Sequence, residues 1–154
     1  MTATIGGVNS ARTTTAAEFS LGEIVTNDDG KVYIYIQASE ALTANAAVLI
    51  TEAGASEMVD TTSTASAFGD RVGVVEVAFA INEYGWAIVY GATTVAAGTS
   101  AAANTALNST STAGELDDDA TAGAEVIDGL VATAAESGGT ASAFLNFPTV
   151  GATL

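Results

Sequence analysis

Lys31-Val-Tyr-Ile-Tyr-Ile-Gln-Ala38 decides the fold class. Val32, Ile34 and Ile36 fall on one face of this run, and Tyr33, Tyr35 and Gln37 on the other. That is a period of two, the signature of a β-strand, and the apolar content of both sides predicts burial on both faces. Immediately upstream, Asn27-Asp28-Asp29-Gly30 is a turn signal, with Gly30 supplying a left-handed residue. Glu23-Ile-Val-Thr26 before the turn then completes a hairpin.

The same reading extends along the chain. Ala46-Ala-Val-Leu-Ile-Thr51 reads as a second central strand, and Glu57-Met-Val59 as a short edge strand. Asp60–Ala67 reads as a loop or a brief helix capped by Asp60. Arg71–Ala80, the connector 81–85 and Trp86–Gly91 form the strongest hairpin, with Val75, Val77 and Phe79 expected in the core. Residues 99–107 have the alanine content of a helix, but Thr and Ser interrupt them. Glu115–Asp119 reads as a strand entering a turn. Glu125–Ala134, a turn at 136–139 and Thr140–Phe147 make a further hairpin, which Pro148 is expected to end. Gly73 and Gly129 hold matching places in these two hairpins, a weak internal repeat. Many short strands with glycine-marked turns predict an all-β fold, a compact β-barrel or sandwich built of hairpins.

Residues 1–19 are small, polar and without period, and are read as an extended N-terminal arm preceding a single β-rich domain over 20–154. The arm is either a disordered terminus or a strap lying on a neighbouring subunit.

Composition narrows the function. The 154 residues contain no histidine, no cysteine and three basic side chains (Arg12, Lys31 and Arg71) against eighteen Asp and Glu, a formal charge of -15. A triad lacks its base, a thiolate nucleophile is impossible, and a zinc site would have to use carboxylates alone. The carboxylates are scattered, and with one Trp the sugar-stacking signature is thin. No catalytic residue, cofactor or metal is therefore assigned. Asn27-Asp28-Asp29 and Asp117-Asp118-Asp119 read as solvated acidic turns or as a weak calcium or magnesium site, and neither has EF-hand spacing. Nucleic acid and anionic membrane are poor partners, because both are recognised through clustered Lys and Arg. No conventional signal peptide and no run of eighteen apolar residues is visible.

Much of the apolar content is alanine, which buries little area per residue, so subunits are expected to add buried surface to one another. Tyr84-Gly85-Trp86 is the best-marked local cluster. It reads either as an anchor beneath a tight turn or as an aromatic contact at an interface. Tyr33, Tyr35 and Tyr90 divide in the same way.

Gly30-Lys-Val-Tyr-Ile-Tyr35, Arg71-Val-Gly-Val-Val75, Tyr84-Gly-Trp-Ala-Ile-Val-Tyr-Gly91, Ala113-Gly114, Asp128-Gly129 and Phe144-Leu-Asn-Phe-Pro148 together resemble the head decoration, or cement, proteins of tailed bacteriophages. The resemblance spans about residues 20–150, and the acidic, alanine-rich C-terminal half departs from the pattern. It implies a virion protein on the outer capsid surface that clamps neighbouring major capsid subunits, as a homo-oligomer and preferably a trimer. Under it, Ile5, Val8, Arg12 and Phe19 of the arm, with Tyr84 and Trp86, become capsid or subunit contacts. Gly85 closes the hairpin, Gly91 ends its second strand and Gly129 marks the matching strand. The alternatives are another virion role, as a head fibre base or tail component, and a bacterial extracellular adhesion module.

Overall fold

The computed structural model of the chain describes residues 7–119 and 121–154. The fold is all-β. Its elements are β1 (Ile24–Thr26), β2 (Val32–Ala38), β3 (Ala47–Ile50), β4 (Ala55–Met58), β5 (Arg71–Val75), β6 (Tyr84–Ala96), β7 (Thr105–Ser109), β8 (Leu116–Asp117), β9 (Glu125–Ala132) and β10 (Thr140–Thr153). They form one ten-stranded sheet in the order β1-β2-β4-β3-β5-β6-β10-β9-β7-β8, with β2 also bonded to β6 and β5 to β10.

The β2–β6 pairing closes a ring: β2, β4, β3, β5 and β6. Alternation along the strands fills it. Ile34, Ile36, Val48, Ile50, Val75, Ala87 and Val89 form one core cluster. Their neighbours Tyr33, Tyr35, Ala47, Leu49, Val72, Val74, Trp86 and Ile88 belong to a second. The expected burial of both faces of β2 is thus met, because a barrel strand covered on its outside has no solvent face. The second core continues through Leu107, Leu116, Ile127, Leu130 and Leu145 beneath β7–β10. A parallel bridge from Ala97 to Leu116 brings β8 back to the chain just beyond β6.

β6 joins the two halves. Its first part pairs with β2 and β5, and its second part, Tyr90–Ala96, pairs with β10. It follows that Gly91 does not end the strand, which runs on to Ala96. Gly85 likewise lies inside β6 rather than in a turn. It is there because a Cβ would come within 2.6 Å of the Phe79 ring. Gly30 does occupy the β1–β2 turn, with φ of 81°.

Other expectations shift for similar reasons of long-range pairing. β5 stops at Val75, and the chain makes an excursion before β6. Val75 and Phe79 are buried as expected, whereas Val77 is only half-buried at the edge of the core. β4 is no edge strand, since β2 pairs with it in parallel on one side and β3 antiparallel on the other. Residues 99–107 form no helix, and their C-terminal part enters β7. Asp60 does act as a cap, accepting from the amides of Thr62 and Ser63 at 2.7 and 2.6 Å, but over a turn.

β10 passes through Pro148 to Thr153. Its register with β9 shifts between Leu145 and Thr149, so Pro148 sits in a bulge where its nitrogen owes no ladder bond. Gly129 faces this bulge with φ of 81°, unlike Gly73, so the two glycines of the weak repeat have different roles.

Candidate functional site

The arm expected over residues 1–19 does not extend away over its described part. Ile5 lies outside the described residues. From Gly7 onward the segment lies along its own chain. The amide of Val8 donates to Asn27 Oδ1 at 2.9 Å, Thr14 bridges to Tyr84, and the amide of Glu18 donates to the Tyr35 hydroxyl at 3.1 Å. The Ser10 hydroxyl donates to Glu76. Phe19 settles on the aromatic pair from β2 and β6, with ring centres 5.3 Å from Tyr35 and 5.2 Å from Trp86. A large apolar residue in a largely polar segment gains by covering aromatic surface, which favours folding the segment back.

This creates a groove of about 1070 Å³ between the segment, β1 and the start of β6. Val8, Arg12, Phe19, Tyr84 and Trp86, five of the six contact residues expected from the sequence, line it. Tyr35 completes its aromatic wall, 4.9 Å from Trp86 and stacked at 6.3 Å on Tyr84. The rim is acidic, with Glu18, Glu23 and Asp28. Arg12 adds no free positive charge, because its guanidinium is held by both carboxylate oxygens of Glu18, at 2.6 and 3.1 Å. β1 forms one side of the groove, and Ile24 stands 57% exposed there.

A second surface lies on the other half of the molecule. Ala106, Val131, Phe144 and Ala92 stand opposite one another in a single row across β7, β9, β10 and β6. All four are exposed, as are the paired Ser142 and Thr94 beside them. Tyr90 extends the row, its ring 5.5 Å from both Phe144 and Phe147. No charged side chain belongs to this row. Sequence reading missed it, although the alternation of Thr140–Phe147 with Phe144 and Ser142 on one face carried the signal.

The acidic turns are engaged locally. Asp29 Oδ1 accepts from the amide of Lys31, Asp117 Oδ1 from that of Asp118, and Asp118 Oδ2 from that of Ala102. Among the described residues, no three carboxylates converge as metal ligands would. Burial, then the nearby Glu76 carboxylate, pushes the Tyr33 phenol above its usual value of 10.0.

No protein-family model matches the chain, and no curated protein matches it.

Proposed function

We propose that the chain is a structural virion protein that binds the outer surface of a tailed-phage capsid and cements neighbouring major capsid subunits, acting as a homo-oligomer, preferably a trimer. The observation that carries this reading is the uncharged row Ala106–Val131–Phe144–Ala92 on a chain of charge -15. Copies of so acidic a protein repel one another, and like charges placed face to face cost several kcal/mol. A row without charge and carrying an exposed aromatic lets copies meet there with less of that cost.

The aromatic groove lies in the other half of the molecule, on the β1, β2 and β6 side. Self-association through the row would leave it open to a shell subunit. Aromatic side chains in a concave setting are the usual anchors of protein interfaces. The scarcity of basic side chains supports an external position, since packaged DNA would repel this surface.

Mixing the purified protein with phage shells that lack it tests the reading. Stoichiometric co-sedimentation and a higher disruption temperature of the shells are expected. A protein that stays monomeric and never sediments with shells of any type contradicts it.

A further inference from the structure

β1 pairs with β2 on one side only, and among the described residues no strand lies along its other edge. The amide of Asn27 donates to the Lys31 carbonyl at the hairpin, and Tyr35 donates to the Glu23 carbonyl at 2.9 Å. Antiparallel alternation between these points turns the backbone groups of Ile24 and Thr26 away from β2. Both residues line the aromatic groove. An open strand edge beside a pocket is the arrangement that accepts an extended peptide, with main-chain bonds giving affinity and the pocket selecting side chains.

Charge says what that peptide is. Beyond the Arg12–Glu18 ion pair the rim bears Glu23 and Asp28, and all three basic side chains of this protein already have partners. Arg12 is bound by Glu18, Lys31 lies 3.7 Å from Glu76, and Arg71 donates to the Thr51 carbonyl at 2.9 Å. A second copy therefore offers only Arg71 outside an ion pair, and that side chain is held to its own Thr51 carbonyl. We infer that the groove receives an extended segment of a different protein, added as a strand to the free edge of β1, with Lys or Arg alternating with apolar side chains. The apolar ones pack against the aromatic wall that Phe19 and Tyr84 present to the groove, and the basic ones meet Glu23 and Asp28. This deepens the reading above and rests on it only for placing the partner in a capsid shell.

The probe is a short synthetic peptide alternating lysine with valine, compared with one alternating glutamate with valine, added to the full-length protein. Amide exchange is followed residue by residue. The lysine peptide should bind, slow exchange at Ile24 and Thr26, and weaken as salt is raised. Thr26→Pro removes an outward N–H without breaking the β1–β2 ladder, and should weaken binding about tenfold or more. Glu23→Gln with Asp28→Asn should keep the protection but lessen the salt dependence. Equal binding of the glutamate peptide, no binding of either, or indifference to Thr26→Pro overturns the inference. So does protection of Ile24 and Thr26 in the isolated protein, since its own residues would then hold the edge. If shells never retain the protein, the cement reading fails while the peptide result stands. If shells retain wild type and Thr26→Pro alike, this inference fails and the cement reading stands.

Discussion

Phe144 of β10 stands directly opposite Val131 of β9, and both remain exposed, at 40% and 42%. Such a cross-strand pair stabilises a sheet on either face, so its exposure must be explained by what meets it rather than by the fold alone. With Ala92 and Ala106 it forms the charge-free row on which self-association is proposed.

Replacing Phe144 by Asp places a like charge at the centre of that row. The oligomer should separate into monomers, while circular dichroism and thermal unfolding of the monomer change little. Sedimentation velocity reads the outcome.

Gly129 and the Asn146 carbonyl oxygen give a second prediction. A Cβ at position 129 would lie 2.7 Å from that oxygen, in a backbone with φ of 81°. Gly129→Ala should cost on the order of 2–4 kcal/mol, combining left-handed strain with the displacement of the Asn146 backbone it would strike. Gly30 has a similar φ but open space around it, so Gly30→Ala should cost only about 1 kcal/mol. Urea denaturation of the two variants separates the two contributions.

Phe19 holds the N-terminal segment to the groove through its two aromatic contacts. Aromatic pairs contribute roughly 0.5–1.5 kcal/mol beyond their buried area. Phe19→Ala should therefore loosen residues 7–19, which their hydrogen bonds to Asn27 and Tyr84 still tether, without unfolding the ring. Hydrogen exchange at Thr14, whose amide donates to Tyr84, should rise, and Trp86 fluorescence should shift to the red.

Tyr33 supplies the pH dependence. Its folded pKa is raised above 10.0, first by burial and then by Glu76. Above pH 10 the unfolded phenol loses its proton while the folded one keeps it, so the folded state binds more protons and stability falls as pH rises. The contribution is complete below pH 10 and is lost as pH passes through the folded value. Tyr33→Phe should flatten the decline in thermal stability above pH 10, with little effect at neutral pH.

Local pattern made part of this molecule legible. The alternation of Val32–Gln37, the turn at Gly30 and the Thr140–Phe147 hairpin follow from period and turn chemistry, and so did the all-β class. Ring closure did not, because the β2–β6 pairing and the parallel β2–β4 pairing join segments that share no local signal. Pro148 and Gly91 looked like strand ends because each disfavours a regular ladder, but a bulge accommodates Pro148 and β6 continues through Gly91 as it changes partners. Within the groove, Tyr84 and Trp86 stood out in the sequence as a marked aromatic cluster. The folded-back position of Phe19, and the part Tyr35 plays beside it, depend on tertiary contacts that spacing does not encode.

Subnanometre electron microscopy of the native particle tests the central claim most directly. The account predicts stoichiometric density for this protein on the outside of an icosahedral shell, copies meeting through the Phe144 face and the Trp86 groove turned toward the shell subunits. A particle surface without it, or its location in a ring or tube of the tail, would contradict the account.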